Sequence, residues 1–167
     1  MESTLELDLL TPLNWRVLRA ARLYALLDSP CAFTSSYAQE LAWGELEWQR
    51  ALDAATWIVA REAERVIGLA KSVSEPGHPS TCYVESAWVA PTHRRRGVLR
   101  ALLHRLVEID RQMGVTELML WVLEGNHDAQ RAYQVLGFES TDDRQYLPDF
   151  GQFERRLRLE ISATRRC

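Results

Sequence analysis

The chain has 167 residues, of which 47% are hydrophobic and 26% are charged. A chain of this length buries roughly 70% of the surface that its unfolded form exposes, which is enough for a core without disulfides or metals. These proportions are typical of soluble globular proteins and exclude a disordered or fibrous chain. The formal net charge of -3 argues against a nucleic-acid-binding protein, which needs a basic surface. We expect a single domain over residues 1–167.

Neither the cysteines nor the apolar runs indicate a secreted or membrane protein. Cys31, Cys82 and Cys167 are odd in number and have no Cys-x-x-Cys spacing, so we expect reduced thiols instead of a disulfide framework. No apolar run approaches the roughly 20 residues that span a bilayer, and the N-terminus MESTLELDLL is acidic where a signal peptide is basic. We therefore expect a cytoplasmic protein with no membrane partner.

The first half of the chain predicts two helices followed by three strands. Residues 13–28 and 37–54 carry Leu, Ala, Arg, Glu and Trp at helical spacing, and Ser29-Pro30 separates them. The pattern then changes to TWIVA and VIGLAKSV, with REAER between them as a hairpin turn. YVESAWVA is the third strand, and Pro91 ends it.

The second half predicts a strand-helix-strand-helix unit that begins with YVESAWVA. Apolar residues recur at helical spacing after the arginine run, and Gly114 is a natural end for that helix. ELMLWVLE is the next strand, and Asn126 opens a short helix that ends at Gly137. Late apolar stretches around Phe138 and over residues 153–161 can complete the sheet. The alternation predicts an α/β fold with a mixed central β-sheet flanked by helices.

The turn between YVESAWVAP and the following helix concentrates positive charge. Residues 93–96 read His-Arg-Arg-Arg, and Arg100 follows one helical turn later. Arginines and a helix N-terminus at the carboxyl end of a strand predict an anion site, although the pattern also fits a solvated helix end. The segment has neither the Walker lysine pattern nor a Gly-x-Gly-x-x-Gly fingerprint. A diphosphate held by backbone amides and arginines fits this chemistry best.

This loop and a second motif downstream resemble the GNAT superfamily of acyl-CoA N-acyltransferases, whose pyrophosphate loop has the pattern Arg/Gln-x-x-Gly-x-Gly/Ala. The six positions of that pattern hold Arg94, Arg95, Arg96, Gly97, Val98 and Leu99. The second motif is an Asn, an Ala three residues on, a Tyr four further, and then Leu-Gly-Phe. Its residues here are Asn126, Ala129, Tyr133 and Leu136-Gly137-Phe138. Leu99 departs from the family's Gly or Ala, and we expect it to turn toward the apolar face of its helix.

The resemblance covers mainly residues 83–138 and implies a GNAT-like fold in which strands 4 and 5 splay apart. In the family, the pantetheine arm of acetyl-CoA lies in that gap and bonds to backbone groups. This assigns Trp88, Val89 and Ala90 to cofactor binding, which is compatible with a buried strand. The other cofactor-binding residues that the resemblance implies are Arg94, Arg95, Arg96, Gly97, Val98, Leu99, Arg100, Asn126, Ala129 and Tyr133. Asn126 fits a helix N-cap equally well.

Acyl transfer from a thioester to an amine needs a deprotonated amine, a polarised carbonyl and a protonated leaving thiolate. We expect Glu85, on the strand beside the thioester, to act as the base, with a solvent-facing or ion-paired glutamate as the alternative. The family commonly has a tyrosine at the position of Tyr133 that protonates the departing sulfur; the alternative is a packing residue. A backbone N–H near Val89 is the expected oxyanion donor.

The resemblance also implies where the acceptor amine binds, because the first two helices cap that end of the site in the family. Candidate residues for one wall are Phe33, Tyr37, Trp43 and Trp48. Candidates for the opposite wall, in a loop expected after Asp142-Asp143, are Tyr146, Asp149 and Phe150.

The predicted activity is transfer of the acetyl group of acetyl-CoA to a primary amine of a small molecule or peptide in a ternary complex. The alternative is a non-catalytic acyl-CoA-binding regulatory module, which Leu99 keeps open. The negative net charge disfavours acylation linked to nucleic acid. The four histidines have no paired ligand spacing, so we expect no metal. Homodimers are common in the family, and a homodimer therefore stays open.

Overall fold

The computed structural model describes residues 4–161. The strands are β1 (Leu5–Leu9), β2 (Thr56–Glu62), β3 (Arg65–Glu75), β4 (His78–Val89), β5 (Glu117–Leu123), β6 (Glu139–Leu147) and β7 (Gln152–Glu160). The helices are α1 (Trp15–Asp28), α2 (Tyr37–Leu41), α3 (Glu45–Asp53), α4 (Val98–Gln112) and α5 (His127–Val135). Short 3-10 turns cover Pro12–Asn14, Pro30–Ala32, Pro91–His93 and Pro148–Phe150. No helix within residues 4–161 is long and apolar enough to cross a membrane.

The strands form one seven-stranded sheet in the order β1-β2-β3-β4-β5-β7-β6. β4 and β5 are parallel, while β5 and β7 are antiparallel, which confirms the predicted mixed sheet. Among the described residues, the ladder between β4 and β5 comprises residues 81–83 against 117–119. It ends there although β4 continues to Val89 and β5 to Leu123. Such short pairing is what the prediction of splayed strands 4 and 5 requires.

The chain divides into two compact units. The first contains the residues up to Val73 together with Ser86–Leu106, and its core includes Leu18 and Leu26 of α1 and Ile58 of β2. The second contains Ser74–Glu85 together with the residues from Val107 onward. In its strand β5, alternate side chains are buried, as the period of two in a half-buried strand requires.

The first unit contains one strand and one helix break that the sequence patterns do not predict. β1 pairs antiparallel with β2, and Arg61 Nε lies 2.7 Å from Asp8 Oδ2. The helix expected over residues 37–54 is instead α2 and α3, so that prediction is wrong in its continuity. Gly44 is extended, with φ -86° and ψ -174°, and its N–H donates to Glu47 Oε2 at 2.9 Å. Gly44 is thus the N-cap of α3, whereas α2 has already ended with Ala42 as its C-cap.

The prediction of a loop after Asp142-Asp143 is also wrong, because both residues lie inside strand β6. Tyr146 belongs to the same strand, and Asp149 and Phe150 lie in the 3-10 turn that follows it. Most of β6 is exposed, so its sequence lacks the apolar alternation that predicts a strand. Side-chain pairs with β7, such as Gln145 with Glu154, stabilise it instead.

Candidate active site

The loop between β4 and α4 bends through two left-handed residues. Arg95 has φ 62° and Gly97 has φ 83°, and α4 begins at Val98. A Cβ added at Gly97 would meet no atom within 4 Å, so the backbone there faces open space. Turns of this kind gather N–H groups into anion-binding concavities, and the first N–H groups of a helix lack partners within it. The loop can therefore hold an anion such as a diphosphate.

The arginines of this loop fall into two classes. Arg94 is engaged within the protein: its Nη2 lies 2.6 Å from Asp28 Oδ2, and its Nε donates to the Val89 carbonyl at 3.0 Å. Arg94 thereby ties the loop to the end of α1 and to the end of β4. Arg94 itself stays exposed, and the exposed arginines beside it for which no bond within the protein is described are Arg95, Arg96 and Arg100. These three provide the positive charge that an anion would meet.

Asp28 is a hydrogen-bonding hub that the sequence patterns do not predict. Its Oδ2 accepts from Trp88 Nε1 at 2.8 Å, from Arg94 and from Ser29 Oγ at 2.7 Å. Burial raises the pKa of Asp28, but the hydrogen bonds and the charge of Arg94 together outweigh burial and lower it. As the last residue of α1, Asp28 meets an unfavourable helix dipole. A negative charge at a helix C-terminus is the feature of the sequence that indicates a carboxylate with a hydrogen-bonding or cationic partner.

The residues predicted to contact pantetheine lie at the end of β4. Trp88 is buried, and its ring meets Tyr24 edge-on, with 5.1 Å between centroids. The Ala90 N–H donates to the Ile67 carbonyl at 2.8 Å, while the Val89 carbonyl accepts from the arginine described above. The side chain of Trp88 is therefore a packing element, and part of the main chain already has partners.

A buried ion pair supports β4 at an irregular residue. Ser86 has φ 55°, which is uncommon for any residue other than glycine and is a strained value inside a strand. Its Oγ accepts from Arg22 Nη1 at 3.0 Å. The same guanidinium donates to Glu40 through Nη2 at 2.8 Å and through Nε at 2.9 Å. Arg22 and Glu40 are only 6% and 2% exposed, so this pair joins α1 and α2 to β4 without solvent.

The candidate catalytic residues, Glu85 and Tyr133, both belong to the second unit. Glu85 is exposed on β4. Tyr133 is half-buried on α5, and its ring packs edge-on against Phe138 at 5.7 Å. Burial raises the pKa of Tyr133 to about 12. A phenol with the usual pKa near 10 is already protonated at neutral pH, as a proton donor requires, and the raised pKa of Tyr133 extends this to more alkaline pH.

Asn126 is the N-cap of α5, because its Oδ1 accepts from the Ala129 N–H at 3.1 Å. This confirms the helix-capping interpretation of the asparagine. Gln130, one residue after Ala129, donates through Nε2 to the carbonyls of Leu123 and Glu124 at 3.0 and 2.8 Å. Two sets of hydrogen bonds thus fix the start of the helix that carries Tyr133.

The aromatic residues proposed as acceptor walls are distributed over several environments. Trp43 and Trp48 line one cavity of the first unit. Phe33 is buried, with the guanidinium carbon of Arg22 at 4.6 Å from its ring centroid. Tyr146 is exposed in the second unit and packs on Phe153. Within residues 4–161, no group of three or more His, Cys, Asp or Glu side chains could hold a metal ion.

Comparison with known proteins agrees with this geometry. The acetyltransferase (GNAT) family model matches residues 20–138. The chain is similar to an acetyltransferase of the GNAT family from Streptococcus pneumoniae, with a TM-score of 0.78 and 17% identity over 95% of this chain and 100% of that one. It is also similar to yncA from Salmonella typhimurium, solved with its cofactor acetyl-CoA, with a TM-score of 0.71 and 23% identity over 97% and 96% of the two chains.

A third similar structure is Arabidopsis thaliana NAA60 in complex with a bisubstrate analogue, with a TM-score of 0.70 and 16% identity over 96% of this chain and 100% of that one. At such identities these likenesses show the fold alone. No curated protein matches the sequence. The family model, however, covers well over half of the 167 residues. The chain therefore belongs to the acetyltransferase (GNAT) family.

Proposed function

We propose that the chain transfers the acetyl group of acetyl-CoA to a primary amine of a small molecule or peptide, by direct attack in a ternary complex. The observation that carries this proposal is the open, left-handed loop before α4 with its exposed arginines. Amides and guanidiniums together suit the diphosphate of coenzyme A. Similarity to a structure that holds acetyl-CoA, and to one that holds a bisubstrate analogue, supports the choice of cofactor and of a ternary complex.

The proposed cofactor contacts follow the two motifs. Main-chain groups of Trp88, Val89 and Ala90 meet the pantetheine arm. The diphosphate is held by the amides of Gly97, Val98 and Leu99 and by the side chains of Arg95, Arg96 and Arg100. Arg94 contributes by positioning the loop through Asp28. Asn126 and Ala129 contribute by fixing the start of α5.

In the proposed reaction, the amine nitrogen attacks the thioester carbonyl, the new C–N bond forms and the C–S bond then breaks. Glu85 takes a proton from the amine, directly or through water, because an amine with a pKa near 10 is mostly ammonium at neutral pH. The Tyr133 hydroxyl gives its proton to the departing thiolate, and the second proton that the nitrogen loses as the amide forms restores the tyrosine through solvent. A backbone N–H near Val89 stabilises the charge that develops on the carbonyl oxygen.

The presence of leucine at position 99 is the observation that favours the alternative, a non-catalytic acyl-CoA-binding module. The family prefers Gly or Ala at this position, and the leucine side chain here is half-buried. A half-buried side chain is consistent with an inward turn that leaves the helix amides accessible. The two hypotheses then differ only in turnover.

The deciding experiment combines calorimetric binding of acetyl-CoA with a thiol-release assay against a panel of primary amines. The proposal expects binding together with thiol release that depends on at least one amine. Binding without release on any amine would support the regulatory module instead. Absence of acetyl-CoA binding would contradict both hypotheses.

A further inference from the structure

Ser86 lies where β4 changes the strand that it pairs with. Within residues 4–161, the ladder with β5 ends at Tyr83, whereas the residues after Ser86 lie against β3. The Ala90 N–H donates to a carbonyl of β3 at 2.8 Å, and a Cβ added at Gly68 of β3 would come within 3.1 Å of the Trp88 carbonyl oxygen. The conformation of Ser86 therefore sets the course of the main chain that follows it.

That conformation is one that the side chain of Ser86 disfavours. Its φ of 55° lies in the left-handed region, where a Cβ crowds the backbone and glycine alone is at ease. Without a contact to hold it, a serine in a strand returns to the extended region, and the chain then leaves residue 86 in another direction. A residue in this conformation persists only when its surroundings hold it there.

The side chain that holds Ser86 is a guanidinium fixed in its plane. Arg22 Nε and Nη2 both donate to the Glu40 carboxylate, at 2.9 and 2.8 Å. Two bonds from a planar group leave its third nitrogen with a set direction, and this Nη1 donates to Ser86 Oγ at 3.0 Å. The side chains of Arg22 and Glu40 are only 8% and 3% exposed, so neither can swing into solvent.

Stability alone is a weak account of this arrangement. The attraction within a buried ion pair is largely offset by the desolvation of its two charges. Pairing of Arg22 Nη1 with a hydroxyl does not require a left-handed residue, since a serine in extended backbone can accept a hydrogen bond as well. The strain at Ser86 therefore indicates a role for the course of β4.

We infer that Arg22, fixed by Glu40, is a positioning residue that keeps Ser86 left-handed and thereby sets the main chain of residues 88–90 for the pantetheine arm of the cofactor. The inference rests on the proposed function, in which those main-chain groups meet pantetheine. It assigns to the buried pair an effect on the pantetheine part of coenzyme A and none on the diphosphate, which binds at the loop before α4.

A comparison of stabilities tests the hold on Ser86 without any cofactor. Ser86→Ala removes the hydroxyl and keeps the strained Cβ, whereas Ser86→Gly removes both. Ser86→Gly should therefore unfold at a higher urea concentration than Ser86→Ala. The control is Ser80, exposed on the same strand and outside the left-handed region, where the alanine variant should be the more stable one. The alanine variant being the more stable at position 86 as well would overturn the inference.

Calorimetric titration of two ligands tests the effect on the cofactor. Acetyl-CoA carries pantetheine, and 3′-phospho-ADP is the nucleotide part of coenzyme A without it. Ser86→Ala should weaken acetyl-CoA about 10-fold, because one lost hydrogen bond lowers the fraction of molecules with the binding conformation by about that factor. Ser86→Gly should weaken it at most ~3-fold, since glycine adopts positive φ about as readily as negative φ. Neither variant should change the Kd of 3′-phospho-ADP.

Arg22→Lys then tests the donor itself, because lysine keeps the charge beside Glu40 but lacks the planar fork that serves two partners. It should weaken acetyl-CoA about 10-fold on its own, and at most ~2-fold further when combined with Ser86→Gly, where no hold is needed. A role in stability alone would make the two losses equal. The Ser86 variants leave the ion pair in place, so they decide the question even where Arg22→Lys does not fold.

Two results would overturn the inference while the proposed function stands. They are full acetyl-CoA affinity in folded Ser86→Ala, and equal losses from Arg22→Lys with and without Ser86→Gly. A wild-type protein that binds no acetyl-CoA would instead contradict the proposed function, and the inference with it.

Discussion

Tyr133 occupies the tyrosine position of the second motif, and burial raises the pKa of its phenol to about 12. General acid catalysis contributes roughly 100-fold to 10,000-fold, so Tyr133→Phe should lower kcat by about 100-fold if proton donation limits the rate. The ring and its contact with Phe138 remain, so the Kd for acetyl-CoA should stay within a few-fold. Steady-state kinetics and calorimetry measure the two effects.

The matched control for this substitution is Tyr24→Phe, which removes the hydroxyl of an exposed tyrosine of α1 and keeps its ring against Trp88. It should leave both kcat and Kd unchanged. Full kcat in Tyr133→Phe would show that the tyrosine is a packing residue, and loss of acetyl-CoA binding would indicate a role in positioning the cofactor.

The proposed role of Glu85 as the base is tested by the pH dependence of the rate. Glu85→Gln should lower kcat/KM most at neutral pH, where the amine is an ammonium ion and needs a base. The defect should shrink at high pH, where the amine loses its proton to solvent. Glu139→Gln, an exposed change on β6, is the control and should leave the profile unaltered. A loss of equal size at every pH would remove Glu85 from the role of base.

The bonds of the Asp28 carboxylate lead to a prediction about the stability of the fold, not about catalysis. Its pKa in the folded protein lies below the unfolded value of about 4, so its contribution to stability is present above that pH and is lost as the pH falls through the folded pKa. The difference in unfolding free energy between wild type and Asp28→Asn should therefore be largest near about pH 6 and should shrink toward about pH 3. Urea denaturation at several pH values measures it; a constant difference would contradict the role of the ionised carboxylate.

At the scale of elements, the loop before α4 depends on glycine for its conformation. Gly97 has φ 83°, which costs a residue with a Cβ about 1 kcal/mol. Gly97→Ala should lower stability by about that amount and should also weaken acetyl-CoA binding, because the loop must relax away from its anion-binding shape. Calorimetry and denaturation measure the two quantities.

Gly114 provides a close control for this loop. It has φ 88°, and a Cβ added there would also meet no atom within 4 Å. Gly114→Ala should thus carry a similar strain and a similar loss of stability, but it follows α4 and should leave acetyl-CoA affinity unchanged. Equal effects of the two substitutions on Kd would contradict the assignment of the loop.

The elements that the sequence predicts are those whose side chains alternate between core and solvent. β5 shows this alternation throughout, and α4 has its apolar residues at helical spacing. β6 is predicted poorly because it is exposed and is held by pairs with a strand that follows it. The break at Gly44 depends on one glycine that is extended in the fold, which helical propensity alone does not show.

The same distinction separates the predicted and the unpredicted parts of the site. The loop is local in sequence, so its six residues identify it. The pair of Arg22 with Glu40 and the pair of Arg94 with Asp28 join residues 18 and 66 positions apart, and only the fold brings them together. The sequence does contain one indication that Arg22 is buried, because it lies four residues after the buried Leu18 on the apolar face of α1.

At the scale of the whole molecule, the family is shown, whereas several properties stay predictions. These are the single domain over residues 1–167, the cytoplasmic location and the homodimer. The central proposal is acetyl transfer from acetyl-CoA to an amine.

The measurement that tests this claim most directly is the fate of an isotopically labelled acetyl group. Acetyl-CoA labelled in the acetyl carbonyl is incubated with the protein and the amine panel, and free thiol and labelled amide are counted together. We expect one labelled amide for each thiol released, with Tyr133→Phe slowing both equally. Thiol release without amide would indicate hydrolysis, and bound acetyl-CoA that yields neither product would contradict the proposed acetyl transfer.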